Sequence, residues 1–186
     1  MAQFTSYCAA VASGEFSALH QHYHATEYGF PVSDDNALFG RLILEINQAG
    51  LSWDTVLKKK DSIRKAYADF SIPHIAAFTE SDIQRLLQDK GIIRMRKKIE
   101  AIIYNANKVL ELQKEVGSFV NWIAMQNIEC KEYGVSVFKK NFHFTGNEIT
   151  NEFLMGTGYI KGAHEPTCPI YKEVLKAKPH WARQSL

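Results

Sequence analysis

An acid stands where the pattern calls for an apolar residue. In the run Leu42-Ile43-Leu44-Glu45-Ile46-Asn47-Gln48-Ala49-Gly50-Leu51-Ser52-Trp53, the residues Leu38, Leu42, Glu45 and Ala49 are spaced three and four apart and share one helix face. A carboxylate on such a stripe is costly unless it is paired or put to use. Gly50 ends the helix and Trp53 opens the next amphipathic segment, so a tight turn joins the acid to a large flat aromatic. Tyr23 and Tyr28 precede the helix. Such a set suits a flat, polar, cationic ligand. The rings supply faces that attract a cation, and the carboxylate can accept from an edge, balance positive charge or orient water. A purine taken out of a DNA stack needs this kind of sandwich. The plainer reading makes Trp53 a core residue and pairs Glu45 with a nearby lysine or helix end.

Two further groups could carry chemistry. Lys90-Gly91-Ile92-Ile93-Arg94 lies between two helical segments, and Arg94-Met95-Arg96-Lys97-Lys98 opens the second. A short hairpin there can aim backbone N–H groups outward beside the positive end of a helix, which makes an anion site. Arg94, Arg96, Lys97 and Lys98 would strengthen it for phosphates, and such contacts position nucleic acid without reading its sequence. An ordinary turn with a solvated basic face is the alternative. The other group is His24 together with His164 and Cys168, a histidine and a cysteine four apart. These can reach one zinc ion, and a closed site needs four ligands. Cys8, the only cysteine before His24, completes the set arithmetically, against a loose surface cluster that includes His20 and His22. Cys130 reads as a small core residue.

The elements that must position these groups are helical. Ser33-Asp34-Asp35 starts a helix that runs to about Gly50, and another runs from Ser52 to about Phe70. A short turn follows through Ile75 to Phe78. Thr79-Glu80-Ser81-Asp82 resembles a capping box for a short helix over 82–89. A long helix runs from about Met95 to before Gly117, then shorter ones over about 118–126, 134–140 and 148–157. Residues 1–22 read as irregular, with a short helix near Phe16 to Leu19, and the tail 159–186 reads as loop-rich. Extended signals are too short to build a sheet. The length fits one domain, 1–186, with a helical core over about 33–157 and the segments 1–32 and 158–186 packed together. A net charge of +2 does not by itself advertise nucleic-acid binding, so local basic patches carry that reading. No apolar run is long enough to span a bilayer, and the N-terminus lacks signal-peptide character. Three widely spaced cysteines argue against a disulfide framework. A cytoplasmic protein is expected.

Taken jointly, these residues resemble the bacterial DNA-3-methyladenine glycosylase I family, of the constitutive type. The matching stretches are Tyr23-His24-Ala25-Thr26-Glu27-Tyr28-Gly29-Phe30-Pro31, Glu45 through Trp53 with Val56-Leu57-Lys58-Lys59-Lys60, Gly91-Ile92-Ile93-Arg94 with Arg96 and Lys98-Ile99, and His164 with Cys168. Tyr28 stands where the family has Trp, and Gly146-Asn147-Glu148 replaces Gly-Pro-Thr. The resemblance implies an all-α helix-hairpin-helix DNA glycosylase fold with a small zinc-binding module joining the two chain ends. It implies a monofunctional, monomeric bacterial base-excision enzyme that hydrolyses the N-glycosidic bond of 3-methyladenine flipped out of alkylated double-stranded DNA and releases the free base. Glu45 would contact the base, and Tyr23, Tyr28 and Trp53 would form its pocket. Leu51 would wedge into the vacated stack, and Gly91, Ile93, Arg94, Arg96 and Lys97 would hold the backbone. One structural zinc would take His24, His164 and Cys168, with Cys8 as fourth ligand. The rivals are a non-catalytic DNA-damage-binding module of the same fold and a helical zinc protein for another flat cation.

Overall fold

Helix starts fall where short polar side chains can cap them. Asp34 accepts from the amide of Ala37, Ser52 from that of Thr55, and Ser118 from that of Asn121. The Thr79–Asp82 capping box forms as its residues dictate. The computed structural model describes residues 4–183. Among these the regular elements are all helical: α1 (Tyr7–Ala12), α2 (Ala18–Thr26), α3 (Asp35–Gln48), α4 (Trp53–Ala66), α5 (Ile72–Ala76), α6 (Glu80–Gln88), α7 (Arg96–Val116), α8 (Phe119–Met125), α9 (Lys131–Asn141), α10 (Asn147–Gly156), α11 (Pro169–Lys176) and α12 (His180–Arg183). The chain divides into two units, one formed by its two ends as far as Pro31 and from Leu154 onward, the other by Val32–Phe153.

In the Val32–Phe153 unit, α7 is the spine and packs against α3, α5, α6 and α8. Its buried stripe Ile99, Ile102, Ala106 and Val109 meets a core that includes Leu38, Leu42 and Ile46 of α3 and Ile72 and Ile75 of α5. Asp35, in the first turn of α3, accepts from Gln113 Nε2 and from the amides of Phe119 and Val120 at 2.6, 2.7 and 3.0 Å, fastening α3 to the start of α8. At Gly40 a Cβ would lie 2.3 Å from the Phe70 ring, so α3 carries glycine where that ring crosses it.

Several expectations are corrected. Among the described residues before 23, more is helical than expected: α1 lies there, and the short helix expected near residues 16–19 is the start of the longer α2. Both helices are short, and side chains that converge inside the unit hold them, as where Tyr7 Oη meets His20 Nδ1 at 2.9 Å. The described tail is irregular over 159–168, as expected, but it then becomes helical, since Pro169 opens α11 at its first turn, a place where proline starts a helix instead of breaking it. Residues 72–76 form a helix in place of a turn. Cys130 is exposed at the N-cap of α9, not in the core.

Candidate functional site

Glu45 is 5% exposed, in the last turns of α3, and Arg41 one turn before it is 8% exposed. Burial pushes the Glu45 carboxyl up to about 8; the Arg41 guanidinium opposes the rise and the Glu152 carboxylate adds to it. At neutral pH the acid therefore holds its proton. Past Glu45 the chain turns through Gly50, whose φ of 79° lies in the left-handed region that glycine adopts freely. The Leu51 amide donates to the Gln48 carbonyl at 2.7 Å, and Gln48 Nε2 donates to the Leu51 carbonyl at 3.3 Å. This tight turn leaves Leu51 exposed at its tip and sets Trp53, half-buried, as the first residue of α4.

The segment between α6 and α7 forms a turn with a basic exit. Gly91 is held by its own amide on Asp89 Oδ1 at 2.7 Å, and Lys59 Nζ donates to the Lys90 carbonyl at 2.9 Å. The amides of Ile93 and Arg94 have no acceptor among the described residues, and no side chain caps the start of α7. Arg94 and Lys97 are exposed. Arg96 differs, because Glu80 and Glu100 hold its guanidinium at 2.6 and 3.2 Å. Lys98, read from the sequence as part of the phosphate patch, is 2% exposed. Its ammonium donates to the carbonyls of Asn47 and Ala49 at 2.8 and 2.7 Å, which removes it from solvent.

In the unit of the chain ends, Cys8, His24, His164 and Cys168 are all buried, and their ligand atoms lie within 4.8 Å of one another. The set could hold a metal ion. His24 Nε2 is 3.4 Å from Cys8 Sγ and 3.8 Å from Cys168 Sγ, and His164 Nδ1 is 3.6 and 3.7 Å from the same sulfurs. His164 Nε2 is 2.7 Å from the Tyr28 carbonyl, so the ring proton sits there and Nδ1 turns its lone pair to the cluster. Burial raises the Cys8 thiol to about 11 and lowers the His24 imidazole to about 4. Tyr23 and Tyr28, both buried, belong to this unit with ring centroids 5.7 Å apart. His20 leaves the cluster to stack on Phe16, and His22 is exposed.

Sequence reasoning missed Arg41, Glu152 and the role of Lys98. Arg41 carried a usable signal, since it lies four positions before Glu45 on the same helical stripe. Glu152 carried none, because only the folded chain brings α10 into range of α3.

The family profile for methyladenine glycosylase matches residues 13–133. The chain is 35% identical over 172 residues to DNA-3-methyladenine glycosylase 1 of Escherichia coli, covering 82% of this chain and 91% of that protein. It is 33% identical over 171 residues to the DNA-3-methyladenine glycosylase of Haemophilus influenzae, covering 82% and 92%. A solved structure of 3-methyladenine DNA glycosylase I from Staphylococcus aureus, concerned with 3-methyladenine recognition, is similar with a TM-score of 0.78 at 31% identity, covering 86% of this chain and 94% of that one.

Proposed function

The chain belongs to the methyladenine glycosylase family, and from that premise we propose that it excises 3-methyladenine from alkylated duplex DNA by hydrolysing the N-glycosidic bond. The observation that carries this reading is Glu45, an acid buried on an apolar helix face beside the turn that bears Leu51 and Trp53. N3-methylation makes the base cationic, so it leaves readily. The C1′–N bond breaks with its electron pair going to the base, and water adds to C1′ and gives up a proton. Such a reaction asks the protein to extrude the nucleotide, hold the base and admit water more than to supply a strong acid. Glu45 is the catalytic residue in this proposal. A cationic base lowers the cost of its carboxylate, which favours the alkylated base over a neutral one.

Tyr23, Tyr28 and Trp53 are assigned to the base as stacking faces, on the family resemblance. Leu51 is assigned to the vacated stack, where its exposure at the tip of a tight turn supports the role. Gly91, Ile93, Arg94 and Lys97 form the proposed helix-hairpin-helix contact with the phosphates, supported by the amides of Ile93 and Arg94, which have no acceptor among the described residues; Arg96, expected there from the sequence, is instead taken up by Glu80 and Glu100. The metal cluster takes zinc in this reading. A tetrahedron with Zn–S of about 2.3 Å and Zn–N of about 2.0–2.1 Å has S···N edges of roughly 3.6 Å, and the four S···N distances here run from 3.4 to 3.8 Å. Zinc there supplies a closed structural crosslink, and the protein acts as a cytoplasmic monomer.

The test is release of free base. The purified protein is incubated with methylated duplex DNA, and the released bases are separated by chromatography. Release of 3-methyladenine is expected, with a loss on the order of a hundredfold in Glu45→Gln and DNA affinity within about twofold. Tight DNA binding without release would replace this reading with a non-cutting damage-binding module. Equal loss of excision and binding would remove Glu45 from the chemistry.

A further inference from the structure

Lys98 occupies an unusual position for a lysine in a basic run. The neighbouring Arg94 and Lys97 point to solvent, while Lys98 is buried and holds two backbone carbonyls, Asn47 at 2.8 Å and Ala49 at 2.7 Å. These belong to the last residue but one of α3 and to its C-cap. Helix C-terminal carbonyls lack intrahelical partners and carry partial negative charge, so an ammonium there satisfies both needs. The Phe144 ring lies on another side, its centroid 5.9 Å from Nζ. Phe144 is itself placed by its neighbour His143, whose backbone N–H and carbonyl are both engaged by Asn105 at 2.7 and 2.9 Å. Asn105 is seven positions after Lys98, on the same stripe of α7. One helix thus holds two irregular segments by buried polar side chains, and the first of these is the turn that carries Leu51.

We infer that Lys98 is a positioning residue that locks the Ala49–Ser52 turn to the first turn of α7, so that the Leu51 wedge and the phosphate-anchoring hairpin act as one rigid piece. The inference rests on the proposed reading that this chain opens duplex DNA. Without the lock, Leu51 remains present but is no longer held at a fixed height and direction relative to the bound backbone. Binding to phosphates persists, since Arg94, Lys97 and the amides of Ile93 and Arg94 are untouched. Extrusion of the base suffers, because insertion of an apolar wedge must compensate for unstacking and depends on the wedge's position.

The experiment uses Lys98→Met, which keeps the aliphatic stem and removes the donor, alongside Leu51→Ala and the double variant. Excision of 3-methyladenine is measured from methylated duplex and from methylated single-stranded DNA. Loss on the order of tenfold is expected on duplex, with little loss on single strands, where there is no paired stack to open. The double variant should lose no more than the larger single loss, as for residues acting through one another. A second readout is independent of catalysis: 2-aminopurine placed beside an abasic-site analogue in duplex DNA, whose fluorescence rises on saturation by the parent as it unstacks. That rise should shrink in Leu51→Ala and Lys98→Met alike and persist in Lys114→Ala, an exposed lysine in the last turn of α7. Equal losses on both substrates, additive losses in the double variant, or an unchanged fluorescence rise in Lys98→Met would overturn the inference. If Lys98→Met does not fold, Lys98→Gln, whose amide can still donate to one carbonyl, carries the same readouts. A parent that releases no base would fail the glycosylase reading, and the fluorescence arm would still decide the role of Lys98.

Discussion

Glu45 and the group Cys8, His24, His164 and Cys168 are both polar and both buried, yet burial does different things to them. The four cluster side chains turn their donor atoms toward one another at 3.4 to 3.8 Å, and His164 is locked from behind by the Tyr28 carbonyl. Every donor in the cluster faces a common centre, so a single cation satisfies the whole set. Glu45 has charged neighbours of both signs, Arg41 lowering and Glu152 raising its affinity constant, and burial outweighs both. The first arrangement is complete once one ion is present. The second is an acid that burial keeps protonated and whose carboxylate an added cation would stabilise, the property a site needs if a cationic ligand is to be preferred. Closed geometry therefore points to structure, and a strongly shifted buried acid points to chemistry.

Removing the metal breaks this comparison with the largest effect. If the cluster is a structural crosslink between the chain ends, strong chelation or Cys168→Ser lowers the melting temperature by roughly 10 °C or more, because metal affinity of a preformed site is folding free energy. Elemental analysis should find one zinc per chain in the parent. Excision should decline in parallel with the folded fraction and not ahead of it. A drop in activity at full folding would mean that the cluster reaches into the chemistry.

A smaller effect comes from Glu45 itself. Its carboxyl titrates at 4.5 ordinarily and at about 8 when buried. Below 4.5 it is protonated in folded and unfolded chains alike. Between 4.5 and about 8 the folded chain keeps a proton that the unfolded chain has lost, so stability falls as pH rises through that window. Glu45→Gln has no such dependence. The variant should therefore gain in melting temperature over the parent from pH 5 to pH 8, by roughly 5 °C or more, and the gain should level off above that. A constant difference across the range would show that the acid is ionised in the folded chain throughout.

Arg41 sharpens the same point more finely. Its guanidinium opposes the upward shift of Glu45, so Arg41→Met should move the rising limb of kcat/KM against pH upward, by up to about one unit. An unmoved limb, with only a uniform loss of rate, would leave Arg41 a packing residue.

Much of this was legible in the chain and some was not, for identifiable reasons. The apolar stripe with Glu45 on it, the Thr79–Asp82 capping box and the spine α7 depend on residues within a few turns of each other, so local pattern suffices. Helices α1 and α2 depend on contacts across the chain, such as Tyr7 with His20, and their own sequences carry little periodicity. The tail read as loop-rich, whereas α11 begins there at Pro169, a residue a helix accepts in its first turn. Lys98 was misread for a sharper reason. A lysine among Arg94, Arg96 and Lys97 looks like one more surface cation, and only the approach of the α3 C-terminus turns it inward.

The hairpin supplies the smallest and most discriminating comparison, between cations that share one short segment. Arg94 and Lys97 are exposed, whereas Arg96 is bridged to Glu80 at 2.6 Å and to Glu100 at 3.2 Å. A guanidinium already neutralised by two carboxylates contributes little net field toward a phosphate, and releasing it would strand both acids beside the DNA. Arg94→Ala and Lys97→Ala should each weaken duplex binding several-fold and reduce the slope of log affinity against log salt by about one. Arg96→Ala should leave the slope nearly intact, because a guanidinium held by two carboxylates makes no phosphate contact to lose, and should weaken affinity by only about twofold through the repulsion of the two freed carboxylates. A full unit of slope lost in Arg96→Ala would mean that the ion pairs open when DNA binds, with Glu80 and Glu100 releasing Arg96 to the backbone.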